Sequence, residues 1–381
     1  MRFQSSTSYG HVIDIRSESG TATGRPLQDE LLDSLRGGDA VQSVSDGCQP
    51  PIEWSRSIPT SVLYEGRGID LYENITRDPA YYLYRDEFSI FQRYSQDIAT
   101  ALLRPVNARE AKSLIKPESS EDTHLILVDL VLTKYRRRVD IQHEQLQRRI
   151  DQLVRQRPEF SRGHVDTSSP MKLKSSISAQ GICGSYYDAM GYLASGGLVD
   201  ETPELKHHGG PFRKCLMWLG SSFTNMKPTE AARFLRQFTR NGVLQPGDLM
   251  LVGIDRCRQV DKVMAAYSVS SPSWQRYVQN GMRNAAEILQ EESLVGDWEY
   301  VARWDAAEGR HVRFAKSTRP RALQSRETAI PEGEHVFLAQ SYKYTRADAT
   351  SVFEAAGLQL LDEWVNADDD CSLFLLENHR D

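Results

Sequence analysis

Three short and almost entirely apolar runs dominate the hydrophobic pattern of this chain: His124–Leu130, Cys215–Ser222 and Leu249–Ile254. Apolar runs of this length, without polar alternation, are typical of strands buried on both faces. Between the second and third runs, Pro228 and the helical stretch Glu230–Arg240 predict a helix that begins and ends between the two strands. The pattern therefore predicts a βαβ unit.

The carboxyl-terminal segment repeats this order of elements. Ser341–Tyr344 reads as a strand, Thr345 with Asp348 three residues later predicts a helix start, and Cys371–Glu377 reads as the last strand. Upstream, five apolar residues recur at helical spacing and predict an amphipathic helix ending before Pro105: Phe88, Phe91, Tyr94, Ile98 and Leu102. Alternation of this kind predicts an α/β fold with a doubly wound, mainly parallel sheet.

The composition divides the chain into three regions. Residues 1–50 are rich in Ser, Gly, Asp and Gln, which predicts a flexible tail with one short helix around Leu27–Leu35. Residues 256–333 change to longer polar helices and mixed segments, which we interpret as an inserted second domain. The core domain is then expected to comprise residues 51–255 and 334–381.

The bulk properties are those of an ordinary globular protein, with 40% hydrophobic and 26% charged residues. With a net charge of −6, the chain lacks the excess of basic residues by which proteins bind a phosphate backbone, so nucleic acid is not an expected partner. No run approaches the about 18 apolar residues that span a bilayer, and no membrane partner is expected. Five widely spaced cysteines without a CxxC pair suggest a reducing compartment and a cytoplasmic protein. Adjacent histidines such as His207-His208 point in different directions in most backbones, and we predict no metal site.

Several segments together resemble the histidine-specific N-methyltransferases of ergothioneine biosynthesis and their relative, the dimethylallyltryptophan N-methyltransferase of ergot-alkaloid pathways. The resemblance covers roughly residues 60–378 and is carried by LYEGRGIDLYENITRDPAYYLYRDE from Leu63, GSYYDAMGYL from Gly184, WLGSSFTNM from Trp218 with GID at Gly253–Asp255, MAAYS from Met264 with YVQNGMRNAAEIL from Tyr277, and AQSYKYT from Ala339. The resemblance implies a Rossmann-like class I methyltransferase fold with an inserted substrate or lid domain.

The resemblance also implies roles for residues at the amino-acid end of the site. Asn225 and Tyr267 would hold the carboxylate and amine of an amino acid, Tyr81 would close over the amine, and Ser341 would contact the side chain. Transfer of a methyl group to an amine is mostly positioning work, for which oriented hydroxyl and amide groups are suited. Tyr81 and Tyr267 are therefore the candidate catalytic residues.

Ala339 bears on the choice of substrate. The histidine enzymes have a glutamate at the matching position, two residues before the serine, and this glutamate hydrogen-bonds the substrate imidazole. Without that carboxylate, histidine loses a partner for its ring. We therefore expect an aromatic or otherwise apolar amino acid rather than histidine. The alternative is drift in a chain that no longer binds an amino acid.

The methyl donor implied by the resemblance is S-adenosylmethionine (SAM). Its candidate ligands are Asp129 at the end of the first strand, Asp140 for the ribose hydroxyls, the residues Gly184, Ser185 and Tyr186 beside the adenine, and the turn residues Gly220 and Ser221. The family's glycine loop is missing, because no glycine occurs between Leu130 and Gly163. Asp140 follows Asp129 by only eleven residues, too few for a loop, a crossover helix and a strand.

Three explanations of this gap are open. The sequence has lost a segment of about 15 to 20 residues, the protein has this fold but performs a different step on a similar amino acid, or it is a non-catalytic homologue that serves as a binding or scaffold protein. The leading hypothesis from sequence is a SAM-dependent N-methyltransferase acting on the α-amine of an amino acid or an amino-acid-derived metabolite in specialised metabolism, such as alkaloid biosynthesis.

Overall fold

The computed structural model describes most of the chain in the following ranges: residues 12–15, 27–38, 40–47, 49–104, 124–129, 181–183, 186–201, 212–323 and 328–378. The helices are α1 (Leu27–Arg36), α2 (Gly68–Thr76), α3 (Tyr82–Leu102), α4 (Tyr186–Ala194), α5 (Gly197–Glu201), α6 (Pro228–Arg240), α7 (Val260–Ala266), α8 (Pro272–Leu289) and α9 (Arg346–Ala355), with short 3₁₀ turns at Thr60–Tyr64, Ser222–Asn225 and Glu292–Leu294. The chain divides into two compact units, one from residues 1–27 and 132–192 and one from residues 28–131 and 193–381.

The strands are β1 (Val12–Asp14), β2 (Gln42–Val44), β3 (Ile52–Trp54), β4 (Arg56–Ser57), β5 (His124–Asp129), β6 (Gly181–Cys183), β7 (Phe212–Trp218), β8 (Leu249–Asp255), β9 (Trp298–Asp305), β10 (Arg310–Ser317), β11 (Arg321–Leu323), β12 (Thr328–Ile330), β13 (His335–Tyr342), β14 (Leu358–Val365) and β15 (Cys371–Asn378). In the first unit, β1 pairs in parallel with β6. The remaining sheets lie in the second unit.

The larger sheet of the second unit has the strand order β14-β15-β8-β7-β5. The strands β5, β7 and β8 run parallel, while β15 is antiparallel to both β8 and β14. The predicted βαβ unit is confirmed as β7, α6 and β8, and the predicted apolar run of β8 is buried along its whole length. Such complete burial requires cover on both faces of the sheet.

Helices supply that cover from both sides, as the doubly wound interpretation predicts. From one side, Ile90, Ile98 and Leu102 of α3 pack into a core with Leu251 and Leu373 of the sheet. From the other side, α9 places Phe353 against Phe374, with ring centroids 5.3 Å apart. Alternate residues of β15 thus face opposite helical layers, which is the side-chain period of a strand.

The helix α9 begins where the sequence predicts. Thr345 forms a capping box with Asp348: the Asp348 N–H donates to the Thr345 hydroxyl at 3.1 Å, and the Thr345 N–H donates to the Asp348 carboxylate at 2.8 Å. Gly357, at φ +79°, follows the last turn. The strand β14 comes directly afterwards and was not predicted.

A second, four-stranded sheet has the order β4-β13-β10-β9 and is largely antiparallel. Its strand β13 includes Ser341, which the sequence pattern assigned to the larger sheet. Its strands β9 and β10 come from the predicted insertion, whereas β4 and β13 come from outside it. One face of this sheet packs on β2 and β3 through Trp54, Phe314 and Phe337, and its other face carries the residues described next.

In the part of the chain that the structure describes, no helix is long and apolar enough to cross a bilayer.

Candidate active site

The two tyrosines predicted to be catalytic lie side by side. Tyr81 immediately precedes α3, and Tyr267 immediately follows α7. Both side chains are buried, and their rings meet edge to face with centroids 5.8 Å apart. The Tyr81 hydroxyl also hydrogen-bonds the Tyr72 hydroxyl of α2 at 2.8 Å. The structure therefore brings together two residues that are 186 positions apart in sequence.

Further aromatic residues surround this pair and were not assigned a role from sequence. Trp274 of α8 lies with its ring centroid 5.3 Å from that of Tyr267, and Tyr277 on the same helix contacts Tyr72 at 5.8 Å. Burial raises the pKa of both Tyr81 and Tyr72, so their phenols keep their protons at neutral pH. The cluster consequently offers neutral hydroxyl groups and ring faces rather than a strong base.

Ala339 and Ser341 lie on the second sheet, opposite two residues that contact this aromatic cluster. In the register of β10 with β13, Arg313 lies opposite Ala339 and His311 lies opposite Ser341. Residues two apart on a strand share a face, so these four residues form one patch. The His311 ring stacks on the Tyr267 ring with centroids 4.3 Å apart and planes inclined by 19°. The patch and the tyrosines therefore belong to one site.

His311 is neutral in this setting. Its side chain is fully buried, and neither ring nitrogen has a hydrogen-bond partner among the described residues. Desolvation, followed by the positive charges of Arg313 and Lys343, lowers the pKa of His311 well below its ordinary value. A buried imidazole without partners is costly, so its two nitrogens stand out as candidate contacts for a ligand.

A buried ion pair joins the end of β8 to the residues after β13. The Lys343 ammonium donates to Asp255 and, at 3.2 Å, to the Ser341 hydroxyl. The Tyr82 hydroxyl and the Cys257 N–H also donate to the Asp255 carboxylate, at 2.8 and 2.9 Å. Burial works against the charge of Lys343, but Asp255 outweighs it and the pKa of Lys343 is raised. This network fixes the position of Ser341.

Asn225 ends the short 3₁₀ turn after β7 and is partly exposed. Two hydrogen bonds tie this turn to β13 and the residues after it: the Gln340 side chain donates to the Asn225 carbonyl at 3.3 Å, and the Tyr344 hydroxyl donates to the Met226 carbonyl at 2.7 Å. Within the described ranges, no residue hydrogen-bonds the side-chain amide of Asn225. The amide is therefore available to a ligand.

Gly220 and Ser221 form the turn at the carboxyl end of β7, the position where open α/β sheets bind ligands. Both residues adopt positive φ, +75° at Gly220 and +54° at Ser221. A Cβ on Gly220 would meet no atom within 4 Å, so the space beside the turn is open. The Gly220 N–H donates to the Glu87 carboxylate at 3.0 Å, and the Ser221 hydroxyl accepts from the Asp255 N–H at 2.8 Å. Glu87 and Asp255 thus hold the turn.

The other candidate SAM ligands are placed only in part. Asp140, Gly184 and Ser185 lie outside the described residues, as does the pair His207-His208. Asp129 is the last residue of β5, next to β7 in the larger sheet. Tyr186 is the first residue of α4 and is partly exposed in the other compact unit.

Three carboxylates lie together elsewhere, at Asp86, Asp368 and Asp370. The Lys262 ammonium sits among them, at 2.9, 3.5 and 2.8 Å respectively. The ammonium thus contacts all three carboxylates, and we assign this cluster no ligand.

The polar and charged residues missed from sequence, besides the aromatic residues named above, are His311, Arg313, Lys343, Asp255 and Glu87. Three of them lie within segments that carry the resemblance: Glu87 ends the first segment, Asp255 ends GID, and Lys343 lies in AQSYKYT. Their position in these segments could have identified them. His311 and Arg313 belong to β10, which no motif covers. Only the register of β10 with β13 shows that His311 and Arg313 belong to the site.

Comparisons with known proteins agree with this architecture. The sequence profile of the family described as histidine-specific, SAM-dependent methyltransferases matches residues 40–378. Ergothioneine biosynthesis protein 1 from Neurospora crassa is 26% identical over 374 residues, which cover 95% of this chain and 36% of that protein. The chain thus spans about a third of the length of that relative.

Two shorter relatives align over most of their own length. N-methyltransferase imqF from Aspergillus flavus is 23% identical, with 93% of this chain and 85% of that protein covered. L-tryptophan methyltransferase trpM from Psilocybe serbica is 25% identical, with 93% and 94% covered. The α/β arrangement and the parallel strands are those of a Rossmann-like methyltransferase fold.

Proposed function

The chain belongs to the histidine-specific, SAM-dependent methyltransferase family, and from this premise we propose that it transfers a methyl group from SAM to the α-amine of an amino acid or an amino-acid-derived metabolite in specialised metabolism. The observation that carries the proposal is the meeting of Tyr81, Tyr267, Ala339 and Ser341 around one aromatic cluster. The names of the relatives point the same way, because one is a tryptophan methyltransferase.

The polar groups of the cluster act by positioning. We assign the substrate carboxylate and amine to Asn225 and Tyr267, the closure over the amine to Tyr81, and contact with the side chain to Ser341 beside Ala339. The Tyr72 hydroxyl orients Tyr81 through their 2.8 Å hydrogen bond. Burial keeps the phenol of Tyr81 protonated, so Tyr81 does not act as a strong base. Its oxygen can accept a hydrogen bond from the substrate's amine N–H, which orients the amine lone pair toward the methyl group.

The charges around the cluster favour the free amine, the form that can accept a methyl group. Lys343 and Asp255 neutralise each other, and His311 is neutral. Arg313 carries a positive charge that no carboxylate of the described residues balances, with its guanidinium carbon 5.2 Å from the Tyr267 ring centroid. Until a ligand balances it, this positive charge disfavours an ammonium group nearby and so lowers the pKa of an amine beside it.

SAM supplies an electrophilic methyl group bonded to a positively charged sulfur. The open turn at Gly220–Ser221 fits such a ligand, since its backbone can be approached closely at the carboxyl end of β7. We assign a further contact to Asp129, the last residue of the neighbouring strand β5. We also propose that residues 256–333 contribute the substrate-side domain, of which β10 carries His311 and Arg313.

Calorimetry tests the proposal directly. Titration with SAM and with S-adenosylhomocysteine should show saturable binding, and a panel of amino acids incubated with methyl-labelled SAM should give at least one N-methylated product by mass spectrometry. Tyr81→Phe should bind S-adenosylhomocysteine as the wild type does but form product more slowly. Absence of heat and of a thermal shift at millimolar cofactor would refute the proposal and favour a homologue that binds amino acids without transferring methyl groups.

A further inference from the structure

Arg313 stands at the side-chain end of the proposed amino-acid site. It lies opposite Ala339 in the register of β10 with β13, at the position where the histidine enzymes have a glutamate on the facing strand. Its neighbour two positions earlier, His311, lies opposite Ser341. The patch that would face a substrate side chain therefore has a donor, Arg313, and no carboxylate acceptor at residue 339.

The guanidinium of Arg313 has no counter-ion among the described residues. Among the residues that the structure describes, none forms a hydrogen bond or an ion pair with it, and its Nε is buried without a partner. Its contacts are with ring faces, at 5.2 Å from the Tyr267 centroid and 5.0 Å from that of Trp274. Arginine has five donors and no acceptor, so an unpaired guanidinium in such surroundings is costly unless a ligand completes it.

The fully buried arginines in the described part of the chain are, by contrast, satisfied. Arg213 pairs with Glu377 at 2.8 Å, and Arg310 pairs with Asp305 at 3.0 Å. Arg321 donates to three backbone carbonyls and to the Ser317 hydroxyl. The absence of a partner is thus particular to Arg313 within this comparison, and it occurs where the substrate is expected.

The groups beside Arg313 are also donors. The Ser341 hydroxyl accepts a hydrogen bond from Lys343 at 3.2 Å, so its own hydrogen is free to donate to a ligand. The carboxylate of Asp255 is held by Lys343, Tyr82 and the Cys257 N–H. The neutral His311 has one N–H without an acceptor. The patch therefore matches a group that accepts several hydrogen bonds.

We infer that the substrate's side chain ends in a carboxylate, bound by Arg313 together with Ser341 in the space left by Ala339. This inference rests on the proposed function. It replaces the preference for an apolar side chain that Ala339 alone suggested, because a guanidinium facing the substrate disfavours an apolar group and repels a basic one. Planar guanidinium and carboxylate groups match in geometry and pair by charge-assisted hydrogen bonds.

The test compares matched amino acids on the full chain saturated with S-adenosylhomocysteine. Calorimetry with glutamate, aspartate, glutamine, phenylalanine and lysine should rank an acidic amino acid first, about ten- to hundredfold ahead of its amide, the range typical for one hydrogen-bonded charge pair. Arg313→Met should abolish that ratio, and Arg313→Glu should reverse it in favour of lysine. Lys316→Met, which removes an exposed cation of the same strand, should leave the ratio unchanged.

Three results would overturn the inference. Tighter binding of phenylalanine than of either acid would contradict a carboxylate-binding patch. A loss in Arg313→Met that is equal for glutamate and glutamine would place Arg313 on the α-carboxylate instead. Binding of no acidic amino acid, with or without the cofactor product, would also contradict it. Failure of S-adenosylhomocysteine to bind, with glutamate binding still dependent on Arg313, would refute only the proposed methyl transfer.

Discussion

Replacement of Lys343 by methionine should destabilise the protein strongly. Methionine fills a similar length but leaves the Asp255 carboxylate, only 2% exposed, without its cation. Removal of one partner of a buried ion pair typically costs about 3 to 5 kcal/mol. Because Tyr82 and the Cys257 N–H continue to donate to Asp255, we expect a loss near the lower end, about 3 kcal/mol.

Urea unfolding followed by fluorescence measures this loss, and the chain offers a matched control. Lys316→Met makes the same chemical change at an ion pair with Glu299 of similar geometry, 2.9 Å, but with side chains 35% and 53% exposed. That variant should lose less than about 1 kcal/mol. Equal losses in the two variants would refute the reasoning that burial makes the Lys343 pair indispensable.

The double variant Lys343→Met with Asp255→Asn separates two contributions to the loss of stability. One is the missing attraction between Lys343 and Asp255, and the other is the cost of burying the Asp255 carboxylate without a cation. The double variant should be more stable than Lys343→Met alone, since no uncompensated carboxylate is then buried. The raised pKa of Lys343 fixes the pH range of the comparison: its contribution is fully present below the ordinary lysine pKa and is lost only as pH rises through the raised folded-state value. The contribution of Lys343 to wild-type stability should therefore be constant from pH 6 to 9.

Three further predictions concern single positions. Asn225→Ala should abolish amino-acid binding in calorimetry with little change in melting temperature, because the hydrogen bond from Gln340 uses the Asn225 carbonyl and not its amide; a variant that binds normally would refute the assignment. His311→Gln should make the free energy of unfolding less sensitive to acid. The pKa of His311 is lowered on folding, so the unfolded chain takes up a proton below about pH 6.5, and wild-type stability should fall by up to about 1.4 kcal/mol per pH unit there, while identical pH profiles would contradict this. Gly220→Ala should cost about 1 kcal/mol in urea unfolding through its positive φ alone, since an added Cβ meets no atom within 4 Å; a neutral result would contradict the turn conformation.

The sequence predicted the parts of the fold whose pattern is local. The strand β8 was predicted because burial on both faces requires an uninterrupted apolar run. The start of α9 was predicted because both residues of its capping box lie within four consecutive positions. The strand β14 escaped because it lies at the edge of its sheet and mixes buried, partly buried and exposed residues. The segment at Ser341 was assigned to the wrong sheet, since a short strand carries no mark of its partner.

At the site, the residues found were those that stand in recognisable motifs, such as Tyr81 and Ser341. Arg313 could not be found in this way, because its segment HVRF alternates polar and apolar residues as a half-exposed strand does. Its importance follows only from its pairing with Ala339 and from the lack of a counter-ion among the described residues, and both depend on tertiary structure.

The charge of Arg313 links substrate choice to the chemistry. Methyl transfer moves a positive charge from the sulfonium to the amine nitrogen, so the product is an ammonium beside the cluster. With a neutral side chain in the site, the uncompensated guanidinium would oppose the appearance of that charge. A carboxylate bound to Arg313 removes the opposition and leaves the Lys343–Asp255 pair unaltered. Arg313 would then select an acidic side chain, and its charge would cease to oppose methyl transfer only when that acidic substrate is bound.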